Sequence, residues 1–554
     1  MPLQLSHKVI VLAFPKMELN LVYVIAFVTV LAALYAYLTR NNSFFKNYPI
    51  PCLPVEPLFG SSRRLMTKRV AFNDFVRSNY ERFPGARMFG MFEMTTPMFV
   101  VRDAELVKNI TVKDFDYFIN HRPFIRADSK NPDSSVLFTK ALFALNGQRW
   151  RSVRTTLSPT FTGSKMRQMF ALIVECSENM IRALSRPGPR EEEYEMKDLF
   201  IRFTNDVIAS CAFGVQLNSF DDQENVFFRY GKDLTNFGRL NVFVKMIGYQ
   251  LFPALMARLE VDIFDRKHTQ FFTDLFRQSV QEREQHGIVR PDMVHLLMQA
   301  GKGKLRNQPL QEPPEEESFA TAKGAPEQSF DSEDVVKLTE KEMVAQCLIF
   351  FLAGYDTIAT VMSFMAYEIS LSPDIQQRLY DEVREVADTL EGKSLTYDAL
   401  QGMRYLDMVV SETLRKWPPN PATDRMCNKD YTVVGEDGQP DIVIPQGAMV
   451  SIPAAGLHHD PRYYPDPDRF DPERFNETNR QSIPLGAYIP FGLGPRNCIA
   501  SRFALMETKA IVYHLILNFE FHRSARTQVP MQLAKGFTGM KAEKGIHVRL
   551  IKRN

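Results

Sequence analysis

The chain has 554 residues, 45% hydrophobic and 24% charged, an ordinary globular composition with room for one large domain or a few. Its formal net charge of +2 argues against a nucleic-acid binder, which carries a strongly basic face. Six scattered cysteines, Cys52, Cys176, Cys211, Cys347, Cys427 and Cys498, form no CxxC pair, which argues against a zinc ribbon or thioredoxin-like site and for a reduced, cytosol-facing body.

Residues 19–38, LNLVYVIAFVTVLAALYAYL, carry no charge. At about 1.5 Å per residue they match a hydrocarbon core of about 30 Å. A cleaved signal peptide is the alternative, but its apolar region is shorter, about 7 to 15 residues. Arg40, Lys46, Arg63 and Arg64 follow the span and favour a cytoplasmic carboxy-terminal side, although Lys8 and Lys16 upstream weaken the asymmetry. Met17 directly precedes it, so residues 17–40 read as a transmembrane anchor and 1–16 as an extension whose status the sequence leaves open.

Residues 41–60 hold Pro49, Pro51, Pro54 and Pro57 and read as an extended, stiff hinge. Residues 61–554 then form the main body. PMFVVRD (97–103) is strand-like, and helical patterns dominate residues 104–300. Residues 301–334 are polar, acidic and rich in Pro and Gly, the composition of a flexible insert. A long helix follows. Thr339 and Glu342 make a capping box, and the pattern runs to Ser372, where Pro373 stops it. Its middle, CLIFFLAGYDTIATVMSFMAY, is apolar nearly all round, yet Gln346, Gly354, Asp356 and Thr357 interrupt it. An aspartate at mid-bilayer costs at least about 2.5 kcal/mol, so a buried central helix fits better than a second span. Residues 430–490 are rich in Pro, Asp and Tyr and read as irregular meander, with His458 and His459 as exposed side chains.

Cys498 stands in PFGLGPRNCIAS (490–501), between a glycine-rich loop and a helical pattern. A thiolate there is a nucleophile or a metal ligand. Gly492 and Gly494 let the backbone turn tightly and approach something flat and bulky. The N–H groups of the following helix, and Arg496, favour an anionic sulfur. A soft, electron-donating ligand in such a loop suits haem iron.

FGLGPRNC fits Phe-x-x-Gly-x-Arg-x-Cys, and here the chain resembles the cytochrome P-450 haem-thiolate monooxygenases. Four further motifs stand in that family's order: WRSVR with Trp150 and Arg154, AGYDT with Asp356 and Thr357, ETLR with Glu412 and Arg415, and PERF with Arg474. LSPTFTGSKM, ASCAFGV, RPDMVHLLMQA and GPRNCIASRFALME look most like insect microsomal, xenobiotic-metabolising enzymes of the ninth family.

The resemblance implies a mainly α, triangular helical domain with a small β region and a single amino-terminal transmembrane helix. It implies haem b ligated by Cys498, with Phe491 beside it and Trp150, Arg154, Arg425 and Arg496 toward the propionates. Glu412, Arg415 and Arg474 would brace the core as a structural charge network. Asp356 and Thr357 would be catalytic, delivering the two protons that O2 reduction consumes, with Gly354 leaving room for oxygen. Electrons would come from NADPH through a reductase flavoprotein, with a b-type cytochrome as an optional donor. The membrane would be the endoplasmic reticulum, with the body on its cytoplasmic side. Substrates would be small lipophilic molecules, xenobiotics such as insecticides or plant toxins, or endogenous lipids. Residues 134–145, 241–256 and 535–540 would line or roof the pocket, the second also dipping into the bilayer. A haem-thiolate isomerase or dehydratase of the same fold, and a non-catalytic haem sensor, are the alternatives. One departure stands out: Ala500 occupies a position where glycine is common, and its methyl bears on local packing.

Overall fold

The computed structural model describes residues 14–122, 136–236, 239–303, 320, 335–436, 438–537 and 539–553. Of the expected insert at 301–334, therefore, all but residues 301–303 and 320 lies outside the described residues. So do residues 1–13 of the expected extension. The helices used below are numbered in chain order.

Helix α1 (Phe14–Thr39) carries the apolar span, and its side chains from Leu21 to Tyr35 are exposed all round. An apolar helix that no protein covers belongs in lipid. The segment behind it makes a turn and a one-turn helix (Phe44–Asn47) before running extended through its first prolines, and it is docked. Phe45 is buried against Phe92 and Phe99, and the Leu53 N–H donates to Gly90 O at 2.9 Å.

Strands β1 (Met88–Glu93) and β2 (Thr96–Val101) form a hairpin, the second covering the strand-like run. Among the helices that follow, α2 (Gly147–Leu157), α3 (Gly163–Leu184) and α4 (Met196–Ile208) position the site, with strand β3 (Glu191–Glu195) ahead of α4. Helices α5 (Leu240–Leu251) and α6 (Pro253–Arg258) leave Leu240, Val244, Phe252 and Leu255 exposed. The Tyr37 hydroxyl of α1 donates to Leu251 O at 3.2 Å, so the anchor and this apolar surface adjoin.

The central helix α7 (Glu340–Leu371) has the expected capping box, and Pro373 opens the next helix. Its 32 residues span about 48 Å. Most of its side chains are buried, which fits a core helix and not a second membrane span. Helices α8 (Arg404–Lys416) and α9 (Ser501–Asn518) pack on it. A buried ion pair, Lys509–Asp407 at 2.5 Å, joins α9 to α8.

Residues 453–490 are irregular as expected, with turns and short helices, but 430–452 are more regular than meander. Strands β5 (Tyr431–Val433) and β6 (Ile442–Ile444) pair, and β7 (Met449–Ile452) runs between β2 and β4 (Thr423–Met426). Pro440 and Pro445 fall between these strands and the remaining prolines of the stretch follow β7, so none interrupts the pairing. Strands β8 (Phe519–Arg523) and β9 (His547–Lys552) add a third sheet with β3, in the order β3-β9-β8. The body is thus mainly helical with small sheets, as expected.

His458 and His459 are not exposed: they are 0% and 6% accessible. A short helix, Ala454–Leu457, turns them inward, where His458 Nε2 accepts the Ile489 N–H at 3.0 Å and His459 Nδ1 sits 2.9 Å from Ala455 O. Burial pushes the His458 imidazole down to about 3.

Candidate haem-thiolate site

The Cys498 loop is held from three sides. The Cys498 N–H donates to Phe491 O at 2.8 Å, closing the turn beneath the sulfur. Gly492 and Gly494 have φ of +74° and +75°, which glycine adopts without strain. At Gly494 a Cβ would stand 1.7 Å from the Thr111 carbonyl oxygen. Its close approach is to backbone, so only glycine fits. Arg154 reaches across from α2, with Nη1 donating to Asn497 O at 3.0 Å and Nη2 to Asn497 Oδ1 at 2.8 Å. Arg154 thereby ties α2 to the loop that carries Cys498. Ala500 caps α9 with φ −99°, so its methyl is unstrained, and it packs against the core.

Cys498 is exposed, yet burial is the largest influence on its thiol. Both hold for a sulfur that faces an enclosed space inside protein. Burial pushes the thiol up, while the Ala500 N–H and the Arg154 guanidinium pull it down. The helix terminus thus acts as expected but does not outweigh desolvation. Mid-way along α7, Ala353 is exposed and Gly354, Asp356 and Thr357 are half-buried, on a helix otherwise sunk in the core. The Cys498 side chain and the Ala353–Thr357 turn of the central helix are thus both accessible although their elements are sunk in the body.

Three guanidiniums gather at one end of this site. Arg496 stacks over Trp150 at 4.0 Å and donates to Ile119 O and Leu145 O, each at 2.8 Å. Arg425 is 1% accessible, donates to Asp424 O at 2.7 Å, and keeps a buried Nε with no partner. Burial, Arg425 and Arg154 together push Arg496 down to about 8, and burial lowers Arg154 and Arg425 to about 10. Among the described residues, Asp424 is the one carboxylate that acts on Arg425 and Arg496. Three cations against one anion leave two positive charges in a poorly hydrated site. Haem carries two propionates, so the charge, the orphan Arg425 Nε and the inward thiol all fit it.

Below the site, Arg415 and Glu412 pair through two bonds, Nε–Oε2 at 2.6 Å and Nη2–Oε1 at 2.8 Å, and both are 0% accessible. This excludes an exposed helix pair. Arg474 Nε lies 3.5 Å from Glu412 Oε1, and the Asp471 N–H donates to the same oxygen at 2.8 Å.

The acid and the alcohol of α7 are not joined. The Thr357 hydroxyl donates to Ala353 O within its own helix, and the Asp356 carboxylate turns to Lys197 Nζ at 2.9 Å. Gly354 packs against α4, where a Cβ would meet Ile208 Cδ1 at 2.6 Å. Sequence reasoning missed Lys197, Asn497 and the Asp424–His121 contact at 3.4 Å. No motif marks these residues, because each becomes a partner only through tertiary packing. Of the expected pocket segments, 241–256 falls on α5, α6 and the residues between them, where Tyr249 is buried and Val244 and Phe252 are exposed.

The family model described as Cytochrome P450 matches residues 50–549. The chain is 42% identical to "Probable cytochrome P450 9f2" of Drosophila melanogaster over 530 residues, 94% of this chain and 98% of that one. It is 39% identical to "Cytochrome P450 9e2" of Blattella germanica over 546 residues, 96% and 97% of the two chains. It is 33% identical to "Cytochrome P450 6j1" of the same cockroach over 528 residues, 95% and 97%.

Proposed function

The chain belongs to the cytochrome P450 family, and from that membership we propose how its own residues serve a haem-thiolate monooxygenase. The enzyme consumes a substrate RH, O2, two electrons and two protons and gives ROH and water. A redox partner supplies the electrons. An isomerase, a dehydratase or a non-catalytic haem sensor is not favoured. Haem, when bound, supplies the iron at which O2 is reduced.

Cys498 would hold the haem iron through its sulfur, and an accessible side chain whose thiol is nonetheless governed by burial is the observation that carries the proposal. Phe491 holds the ligand loop through its carbonyl. Arg425 and Arg496 neutralise the propionates, Trp150 orients Arg496 by stacking, and Arg154 fixes the loop beside the sulfur. Glu412, Arg415 and Arg474 brace the packing below. Thr357 and Asp356 move protons: the hydroxyl can leave the Ala353 carbonyl to donate inward, and the half-buried carboxylate faces both Lys197 and solvent.

Residues 17–40 serve as the anchor, 41–60 join it to the body, and 61–554 form the catalytic domain. The exposed apolar side chains of α5 and α6 adjoin the anchor and support a second membrane contact. A lipid-facing rim suits small lipophilic substrates, xenobiotics among them. We place the enzyme on the cytoplasmic face of the endoplasmic reticulum, served by an NADPH-dependent reductase and, optionally, a b-type cytochrome. The test is turnover of a lipophilic substrate panel in vesicles with that reductase. Oxygenated product that requires both NADPH and reductase supports the reading; product formed without them overturns it.

A further inference from the structure

Helix α4 grips the central helix at the turn that bears Asp356 and Thr357. The Thr204 hydroxyl donates to Tyr355 O at 2.8 Å, and Lys197 Nζ donates to Asp356 O at 2.7 Å. Two consecutive carbonyls of α7 thus accept side-chain bonds from one neighbour. Lys197 also lies 2.9 Å from an Asp356 carboxylate oxygen and donates to the Thr360 hydroxyl. Thr360 in turn donates to Asp356 O at 2.8 Å. One ammonium therefore meets the acid, its backbone carbonyl and the hydroxyl one turn on. Its donors are used where they fix the acid from both ends.

This arrangement has a cost. Lys197 is four-fifths buried, and burial pushes its ammonium down against the pull of Asp356 and Glu195, with Lys541 opposing. A lysine that served stability alone would do better on the surface, and a buried ion pair is seldom kept for stability. The opposite end of the pair supplies the reason. Asp356 is half-exposed, so it can exchange protons with water while its position is held from α4.

We propose that Lys197 is a positioning residue for proton delivery, holding the Asp356 carboxylate turned toward α4, within one residue of Thr357. The inference rests on the assignment of Asp356 and Thr357 to proton movement made above. The groups that act on Lys197 are Asp356 on α7, Glu195 at the end of β3 and Lys541 in the carboxy-terminal segment. Loss of the ammonium removes the group that ties both the carboxylate and the carbonyl of Asp356 to α4, so the acid is free to swing away from Thr357.

The experiment compares Lys197→Met, Lys197→Arg, Asp356→Asn and the Lys197→Met/Asp356→Asn double variant in the haem-loaded, full-length enzyme. Product, hydrogen peroxide and NADPH are counted per haem, with haem content and the thermal midpoint measured alongside. Lys197→Met should keep haem while product per NADPH falls about tenfold, less than the ~10²-fold expected for losing a direct proton donor. Peroxide should take up the difference. Lys197→Arg should restore most coupling. The double variant should be no worse coupled than Asp356→Asn alone, and its midpoint loss should be less than additive. Unchanged coupling in haem-replete Lys197→Met, or additive losses in the double variant, would overturn the proposal. If Lys197→Met fails to fold, full coupling in Lys197→Gln overturns it and partial coupling rescued by Arg supports it. Should Asp356→Asn itself couple normally, the underlying proton-delivery assignment fails, a result distinct from failure of Lys197 alone.

Discussion

Glu412→Gln removes one negative charge from a place with no solvent to replace it. Arg415 then keeps only neutral partners, His458 O at 2.8 Å and Arg469 O at 3.3 Å, and Arg474 keeps the carbonyls of Pro465 and Asp466. Removing one member of a fully buried pair costs about 3–5 kcal/mol. Unfolding entropy of about 2.1 cal/mol/K per residue over about 500 residues gives roughly 1 kcal/mol per degree, so the thermal midpoint should fall by about 3–5 °C. Calorimetry or circular dichroism on the haem-loaded protein reads this directly. The control is Glu412→Met with Arg415→Met, which leaves neither charge and should lose less than the two single changes together. A midpoint within about 1 °C of wild type in Glu412→Gln would refute the reasoning, as would fully additive losses in the double variant.

Removing haem should leave the Arg154, Arg425 and Arg496 cluster unneutralised. The apoprotein should gain stability with added sulfate, and the holoprotein should gain less. Arg496, held down to about 8 in the fold, costs the apoprotein stability below that pH, so apoprotein stability should climb as pH rises through it. Haem propionates restore the cation's partner and should flatten that slope. Thr357→Ala should keep haem and NADPH consumption while hydroxylation falls about 10²-fold and peroxide rises. Lower stability with normal coupling would instead assign the hydroxyl to its Ala353 bond. Deleting residues 1–40, short of the buried Phe45, should release the body from vesicles only in part. Val244→Asp with Leu255→Asp should complete the release, and full solubility after the deletion alone would remove α5 and α6 as a membrane contact.

The long elements were legible in the residues. Thr339, Glu342 and Pro373 mark both ends of the central helix, and an uncharged run marks the anchor. Each signal is local, so it survives folding unchanged. The strands at 431–452 were not, because three- and four-residue strands among prolines carry too little period to register. His458 and His459 went wrong for a related reason: polar neighbours suggested a surface loop, whereas a one-turn helix buries both. At the site, motifs located Cys498, Glu412, Arg415 and the arginines. They could not show that Arg154 would grip Asn497, that Gly354 would meet Ile208, or that Asp356 would turn to Lys197. Those partners lie far away in sequence and are chosen by helix packing alone.

The central claim is that Cys498 supplies the thiolate to haem iron. The measurement is the absorption spectrum of the reduced, carbon-monoxide-bound protein, wild type against Cys498→Ser, with haem content quantified in each. Thiolate ligation gives a long-wavelength Soret band in the wild type that is lost in the variant. A haem-replete Cys498→Ser protein that retains the full long-wavelength band would contradict the account and place the ligand elsewhere.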